Sequence, residues 1–478
     1  MRFVQEEGLV VNREENHVKR LRVGFVVGFA AVVATLAVVA GLALASSSKR
    51  TSLTGTISVV YSESYEFDAK NLTDMWWSRV KKEFETKYPG AHLKAIPVGG
   101  TDFDEQKKAA LLLRSPSTSP DIVSMETPNV GELAAANYLL ALNKYTNKDK
   151  AFWPYVAKSI KDMSTFNGNV YAINSGNNVS MIFYNKAMLR KAGVAVPWNP
   201  KTWNDILVVA RKVKAANPGV IPLWLHAGVT VGPFVGLVQT SGNLIFGSKT
   251  PIMLDQKTKK WVIDSPGLRA MLGFYKSVYG GGLGPPAGDL FGATAAIQPP
   301  DLMRKHKLAI VLGSNWYPGQ WVFKFADPWP TAQKEVGVAP VPTQSGQAPG
   351  AATTIAGWSW GISRVSKNPA LAWALIQIMQ EQKNMIDHAN WAGFLPPSSK
   401  AAAAPSFGNF APPQGEFRNY ASFATPIPSD PGFPVYGRAI NDATGKIVQN
   451  PSTPISDALK TIKNDMVNQL GSDKVETK

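Results

Sequence analysis

One short motif in the chain has the spacing of a hydrolytic nucleophile. Residues 357–361 read Gly-Trp-Ser-Trp-Gly and match Gly-x-Ser-x-Gly, and Asp387 and His388 follow downstream. In hydrolases with this motif the serine lies on a sharp turn between a strand and a helix. Here residues 361–364 continue an extended pattern, a helix can begin only near Pro369, and no His-Gly-Gly-Gly segment could supply an oxyanion hole. The segment therefore predicts a strand, with a serine hydrolase as the alternative.

The other residue types that carry catalysis show no pattern of their own. The five histidines are scattered and form no metal-binding pair, and the chain has no cysteine. No phosphate-binding glycine motif opens a predicted helix. We therefore expect no metal, no cofactor and no disulfide. Paired carboxylates that cleave glycans need no motif, so a carbohydrate-active enzyme stays open as an alternative to a binding protein.

Polar and aromatic residues recur where predicted strands end, which is where open α/β sheets bind their ligands. These residues are Glu126 after strand 121–125, Asn177 and Asn178 after a strand at 170–173, Trp316 and Tyr317 after strand 308–312, and Trp358 in a later strand. A carboxylate accepts hydroxyl hydrogens and an indole offers a flat apolar face, a combination that suits a neutral sugar. Two simpler interpretations are that Glu126 caps the following helix and that the tryptophans are core residues.

The elements that would position these residues alternate between strands and helices. The β-branched run at 55–61 predicts a buried strand, and apolar residues every four positions from Leu72 to Phe84 predict the next helix. Further strands are predicted at 92–97 and 181–184, and further helices at 105–114, around 133–136 and after Thr202, which forms a near capping box with Asp205. Such alternation predicts an open α/β sheet with parallel pairing.

The N-terminal segment indicates the compartment. Residues 23–45 are uncharged and long enough to cross a bilayer core of about 30 Å. Basic residues at 19, 20 and 22 favour a cytoplasmic segment 1–22 and an exported body, joined through a polar tether at 46–54. Because Ala43-Leu44-Ala45 before Ser46 also fits a cleavage site, the run is either a transmembrane anchor or a signal peptide. Its length favours the anchor.

The composition fits an exported protein with two folded lobes. The chain has 478 residues, of which 45% are hydrophobic, enough to bury substantial cores. The net charge is +16, but the sequence has no run of five basic residues, so we expect no nucleic-acid partner.

Three segments resemble the family 1 extracellular solute-binding proteins of ABC transporters, the maltose- and trehalose-binding type. The first is residues 120–142, a strand followed by a loop and a helix. The second is residues 167–213, with Tyr-Asn-Lys at 184–186 and Pro-Lys-Thr-Trp-x-Asp at 200–205. The third is residues 357–379, followed by Ala-Gly-Phe-Leu-Pro-Pro at 392–397. The resemblance covers most of residues 55–470 in the expected order.

This resemblance implies a two-lobed periplasmic-binding-protein-like fold of the α/β class, which closes like a hinge around its ligand. Lobe 1 would comprise 55–167 and 354–386, and lobe 2 would comprise 168–353 and 387–470. It adds Asn129, Trp391 and Tyr65 to the candidate ligand residues. Asn129 stands where the family usually has an aromatic residue and Asn178 where it usually has an acid.

The resemblance also implies what the protein does. It would catalyse nothing, bind a di- or oligosaccharide on the extracytoplasmic face of the cell membrane, and deliver it to the transmembrane subunits of an ABC permease.

Overall fold

The structure is a computed structural model that describes residues 53–62, 72–99, 102–324, 328–408 and 417–478. The predicted anchor at 23–45 and the candidate ligand residue Tyr65 lie outside the described residues, and so does the side chain of Trp391.

The strands are short except for one of 14 residues, all of them buried. In chain order they are β1 (Gly55–Ser62), β2 (Ala91–Val98), β3 (Ile122–Glu126), β4 (Thr165–Phe166), β5 (Asn169–Val170), β6 (Ala172–Asn185), β7 (Ile221–Trp224), β8 (Leu254–Asp255), β9 (Lys260–Asp264), β10 (Leu308–Ser314), β11 (Val336–Ala339), β12 (Val341–Pro342), β13 (Ala351–Ala352), β14 (Thr354–Ile362), β15 (Thr425–Pro426) and β16 (Val475–Thr477).

The helices vary from single turns to long amphipathic segments. In chain order they are α1 (Leu72–Lys87), α2 (Asp102–Leu113), α3 (Val130–Ala135), α4 (Asn143–Thr146), α5 (Lys158–Met163), α6 (Lys186–Lys191), α7 (Trp203–Ala216), α8 (Gly232–Gly236), α9 (Gly242–Gly247), α10 (Pro266–Gly280), α11 (Ala287–Phe291), α12 (Pro299–Arg304), α13 (Tyr317–Gly319), α14 (Ala332–Glu335), α15 (Pro369–Met379), α16 (Gln382–Ala392), α17 (Ser399–Ala402), α18 (Arg418–Ala421), α19 (Phe433–Gln449) and α20 (Ile455–Leu470).

The first half of the main sheet, in lobe 1, has the strand order β2-β1-β3-β14-β6. β1 runs parallel to β2 and β3, while β14 runs antiparallel to β3 and β6. The carboxyl ends of β1 and β3 therefore lie at one edge, where Ser62 and Glu126 end their strands. On α1, Trp76, Val80 and Phe84 are buried, which confirms the predicted helix and its apolar face.

β6 belongs to both halves of the sheet. Residues 172–179 pair with β14, and residues 180–185 pair with β10 and β11. The prediction of two separate strands at 170–173 and 181–184 is wrong, and Asn177 and Asn178 lie inside one continuous strand rather than after a strand. The continuous strand was not predicted because residues 174–180, Asn-Ser-Gly-Asn-Asn-Val-Ser, are mostly polar, whereas buried strands are usually apolar.

The second half of the sheet, in lobe 2, has the order β6-β10-β7, and β11 pairs with the end of β6. β10 runs parallel to β7, so their carboxyl ends also share an edge. Helix α7 packs in this lobe and starts at the predicted capping box. The Thr202 hydroxyl accepts the Asp205 N–H at 3.2 Å, and the Asp205 carboxylate accepts the Thr202 N–H at 2.9 Å.

The division between the lobes stays a prediction, but the packing of α16 bears on one boundary. Trp76 on α1 donates its indole N–H to the Asn384 carbonyl at 3.0 Å, and Arg79 pairs with Asp387 at 2.9 Å. A boundary at 386/387 would cut a helix that packs as a unit on lobe 1. We therefore propose that lobe 1 extends through Ala392.

One helical stretch among the described residues, Val229–Gly247, is long and apolar enough to cross a membrane. Of its most apolar window, 83% is buried inside the protein, so the stretch serves as a core helix of lobe 2.

Candidate functional site

A cavity of about 150 Å³ lies between the two lobes. From lobe 1 it is lined by Gln106, Lys107, Ala110, Glu126, Asn129, Glu132 and Leu133, and from lobe 2 by Val231, Gly232, Pro233, Phe234, Val235 and Pro434. The lobe 1 side is thus mainly polar and carries charges, whereas the lobe 2 side is apolar. We call them the polar wall and the apolar wall.

Glu126 and Asn129 organise the polar wall. Glu126 ends β3 and is 4% exposed, and its carboxylate accepts an amide hydrogen from Asn129 at 3.1 Å. The Gln106 side-chain oxygen on α2 accepts the Glu126 backbone N–H at 3.3 Å and the Asn129 amide at 3.2 Å. These bonds fix the carboxylate beside the cavity. The Glu126 side chain makes no capping hydrogen bond to the turn at 127–129, so the structure does not support the simpler interpretation as a cap.

The apolar wall is built on α8, with Phe234 as its largest side chain. Phe234 is 5% exposed, and its ring centroid lies 6.5 Å from that of Trp358 on β14. Trp358 is opposite Glu126 in the register between β14 and β3. Trp358 therefore lies close to one residue of each wall but does not itself line the cavity, so its predicted contact with the ligand stays a prediction.

Buried asparagines on β6 carry acceptors without partners. The side-chain oxygens of Asn174, Asn177 and Asn178 are buried and accept no hydrogen bond in the described structure. Asn177 and Asn178 lie opposite Gly357 and Ala356 of β14. Most buried polar atoms are paired, so these acceptors are unusual. None of the three residues lines the cavity, and the predicted contact of Asn177 and Asn178 with the ligand stays a prediction.

The two aromatic residues after β10 have different environments. Trp316 is 6% exposed and packs edge-on against Tyr317, with ring centroids 4.5 Å apart. Tyr317 is fully buried, stacks on Phe183 at 5.1 Å, and places its hydroxyl 3.3 Å from the His226 Nε2. Burial raises the pKa of Tyr317 well above its usual value. Tyr317 thus belongs to the interior of lobe 2, and the structure brings neither residue to the lining of the cavity.

His226 occupies that interior as well. Its backbone carbonyl accepts the Tyr275 hydroxyl at 2.6 Å, and its backbone N–H donates to the Thr240 hydroxyl at 3.2 Å. Burial lowers the pKa of His226 to about 3, so the imidazole is neutral at ordinary pH. Its role is structural.

Ser359 lies in the middle of β14, which continues to Ile362, as predicted. The residue is fully buried, and its hydroxyl shares a hydrogen bond of 2.9 Å with Thr127. His388 instead packs its ring against Trp76 at 5.1 Å, and Asp387 pairs with Arg79. This geometry is not the exposed strand-to-helix turn of a hydrolase nucleophile.

Among the residues that the structure describes, no three His, Asp or Glu side chains are grouped to hold a metal ion. Several lining residues escaped the sequence analysis. Phe234 follows Gly232 and Pro233 soon after a strand end, a signal that could have drawn attention to it. Gln106 and Glu132 lie within helices, and nothing in their local sequence distinguishes them from solvent-exposed polar residues.

The fold and this interlobe cavity define a two-lobed α/β binding protein. The family model for the bacterial extracellular solute-binding proteins matches residues 69–386, and the chain belongs to this family. It is accordingly a binding protein and not an enzyme.

Two curated relatives align with part of the chain. An uncharacterized ABC transporter extracellular-binding protein of Pyrococcus horikoshii is 30% identical over 162 residues, 31% of this chain and 35% of the relative. A multiple sugar-binding protein of Streptococcus mutans is 25% identical over 183 residues, 37% of this chain and 40% of the relative. The alignments therefore span less than half the length of these relatives.

The similarity in structure is more extensive. The maltose-bound MalE3 of T. maritima superposes with a TM-score of 0.71 at 20% identity, covering 87% of this chain and 100% of that one. At this identity the similarity establishes the two-lobed fold.

Proposed function

We propose that this protein is the extracytoplasmic solute-binding protein of an ABC importer, and that it binds a di- or oligosaccharide between its lobes and delivers it to the permease. The observation that carries the proposal is the pairing of a polar wall on lobe 1 with an apolar wall on lobe 2 across one cavity.

A sugar ring matches this pairing. Its hydroxyl groups point outward along the edge, and its C–H groups form an apolar face that packs on aromatic rings. Glu126 and Asn129 supply acceptors and donors for the edge, and Phe234 supplies a ring for the face. A net hydrogen bond to a charged group contributes about 1.5–3 kcal/mol, so Glu126 would provide a large part of the affinity.

Two of the reported similarities support a saccharide as the ligand. The Streptococcus mutans relative is described as a multiple sugar-binding protein, and the T. maritima structure holds maltose. They guide the choice of test compounds.

Thermal unfolding in the presence of candidate ligands tests the proposal. Maltose, trehalose, mannobiose and maltotriose form the saccharide set, with sn-glycerol-3-phosphate and a dipeptide as ligands of other classes. A ligand at about 100 times its Kd should add about 2.7 kcal/mol of stability. Stabilisation by a non-saccharide alone would contradict the proposal. Cells that lack the protein should also lose uptake of the saccharide that binds.

We further propose that the apolar run at 23–45 holds the protein at the cell membrane as a single-pass anchor, with the N-terminus inside. The full chain should then sediment with membranes, whereas a chain that begins at Thr51 should stay in the aqueous fraction. Recovery of aqueous protein whose first residue is Ser46 would instead establish cleavage after Ala45.

A further inference from the structure

The first turn of α3 meets a segment of lobe 2 at the edge of the cavity. Gly131 is buried, and its backbone lies so close to Ser429 that a Cβ at this position would overlap the Ser429 carbonyl oxygen and lie 2.9 Å from the carbonyl carbon. The next residue, Glu132, lines the cavity, and its carboxylate accepts the Gly432 N–H at 3.0 Å. We call these contacts between residues 131–132 and 429–432 the clasp.

The two sides of the clasp are fixed to different lobes. α3 is held to lobe 1 by Val130 and Leu133, which are buried in one apolar cluster with residues of β3. The other side is held to lobe 2 by Trp261 on β9, whose indole N–H donates to the Pro431 carbonyl at 3.0 Å. The Trp261 ring also stacks on Tyr436 of α19, with centroids 4.7 Å apart. The clasp therefore joins the two lobes directly beside the cavity.

The residue types at the clasp suit a contact between lobes. Gly432 is the N-cap of α19, with a φ of +91°, and it has no side chain to cap the helix. The Glu132 carboxylate takes up one of the N–H groups that a helix start leaves unpaired, and its charge is favourable at the positive end of the helix. Gly131 lies inside a helix, where glycine is less stable than alanine. The close approach of Ser429 explains why a glycine is present there.

We propose that Gly131 and Glu132 are positioning residues that hold the two lobes together over the bound ligand. The inference depends on the proposed function, because it takes the cavity as the ligand site. Gly131 does not line the cavity, so it would influence affinity through the contact between the lobes and not through contact with the ligand. A ligand enclosed in this way leaves only after the clasp opens, so the clasp would act mainly on the dissociation rate.

Gly131→Ala in the full chain tests the backbone contact. The added Cβ would overlap a backbone carbonyl, which no change of side-chain rotamer relieves, so the clasp should not form. With maltose as the probe in calorimetry, Kd should rise about tenfold or more, within the range usual for coupled sites. The melting temperature of the ligand-free protein should not fall, because alanine favours a helix more than glycine does. An unchanged Kd, or a loss of affinity that only accompanies a large fall in melting temperature, would overturn the proposal.

Gly267→Ala is the matched control. Gly267 lies at the start of α10, and a Cβ there would also overlap a backbone carbonyl oxygen, that of Thr250, but both residues belong to lobe 2. This variant should lower the melting temperature and leave the Kd for maltose unchanged. A tenfold loss of affinity in this control would show that any backbone overlap weakens binding, which contradicts a specific role of the clasp.

A double-mutant cycle tests whether Glu132 acts through the clasp. Because Glu132 is exposed to solvent, its hydrogen bond is screened, and Glu132→Ala should raise the Kd for maltose only about threefold. In a Gly131→Ala background the clasp is already open, so the same change should have almost no further effect. An equal factor in both backgrounds would show that Glu132 contacts the ligand itself, and its assignment to the clasp would be wrong.

A measurement without ligand keeps the inference distinguishable from the proposed function. The chain has no cysteine, and Ala135 on α3 and Lys257 between β8 and β9 are exposed, so Ala135→Cys and Lys257→Cys introduce one specific pair of spin labels. The distance between the labels, measured by pulsed electron paramagnetic resonance, should increase when Gly131→Ala is added but not when Gly267→Ala is added. If the protein binds no saccharide, the proposed function fails, while these distances still decide whether the clasp holds the lobes. Equal distances with and without Gly131→Ala would refute the clasp.

Discussion

The two lobes differ in where the polar side chains near their strand ends lie: in lobe 1 they line the cavity, and in lobe 2 they are buried inside the lobe. In lobe 1, Glu126 is the last residue of β3 and lines the cavity, with Asn129 beside it. In lobe 2, His226 and Tyr317 come just after β7 and β10, yet both are fully buried inside the lobe. The cavity side of lobe 2 is left to the apolar side chains of α8 and the turn before it.

The difference shows what a strand-end position does and does not determine. The carboxyl ends of parallel strands mark the edge at which a ligand lies, but the covering element decides which side chains reach it. In lobe 1 the turn after β3 exposes its own residues to the cavity. In lobe 2, α8 lines the cavity, and the polar residues after the strands pair with one another behind it, as the 3.3 Å contact between His226 and Tyr317 shows.

The interior polar groups of lobe 2 should make the protein sensitive to acid. The pKa of His226 is about 3 in the folded protein and near 6.5 in an unfolded chain. Below pH 6.5 the unfolded chain binds a proton that the folded protein excludes, so the free energy of unfolding falls as the pH drops from 6.5 toward 3. Between pH 7 and 4.5 this loss should be about 2.5 kcal/mol, measured by urea unfolding.

His226→Gln tests the assignment, because glutamine retains hydrogen-bonding groups and does not titrate. The variant should be less stable at pH 7 but should lose about 2.5 kcal/mol less than the wild type on acidification to pH 4.5. If the free energy of unfolding depends on pH in the same way in both proteins, groups other than His226 cause the sensitivity to acid.

The polar wall should respond most strongly to neutralisation of Glu126. Glu126→Gln preserves shape but replaces a charge-assisted hydrogen bond with a neutral one, so the affinity for a bound disaccharide should fall by about 2 kcal/mol, roughly 30-fold. Calorimetry provides the measurement. Glu381→Gln is the control, since this half-exposed carboxylate pairs with Lys87 at 3.2 Å on lobe 1 and does not line the cavity. An effect of similar size in both variants would point to the overall charge of lobe 1 instead.

The apolar wall should contribute less per residue. Phe234→Ala removes a ring from the cavity and should weaken binding by about 1–2 kcal/mol. Phe274→Ala is a matched control, because Phe274 is 4% exposed and packs on Trp203 at 5.5 Å in the core of lobe 2. The control should lower the melting temperature without changing affinity in the protein that remains folded. If Phe234→Ala affects only the melting temperature, the apolar wall is core and not a ligand surface.

The sequence was informative where local patterns control structure. The apolar spacing on α1, the capping box of α7 and the continued strand after Ser359 are all present in the structure. The continuity of β6 could not be predicted, because its central residues are polar and their burial depends on strands far away in the chain. Glu126 and Asn129 reach the cavity, whereas Tyr317 does not, since its surroundings are set by Phe183 and His226 from other elements.

The smallest effect is expected beneath the polar wall, at Ser359. Its hydroxyl bonds to Thr127, which follows Glu126, and Thr127 also accepts a hydrogen bond from the Asn174 amide at 3.2 Å. Ser359→Ala should therefore cost about 1 kcal/mol of stability and change the affinity for a bound disaccharide less than about twofold.

A nucleophilic serine would behave differently, since it reacts stoichiometrically with a fluorophosphonate probe, and its loss abolishes turnover. We expect no labelling of the wild-type protein, because a fully buried hydroxyl paired with threonine has neither a base nor access to the reagent. Labelling that disappears in Ser359→Ala would contradict the assignment as a binding protein and would show that Ser359 is a nucleophile.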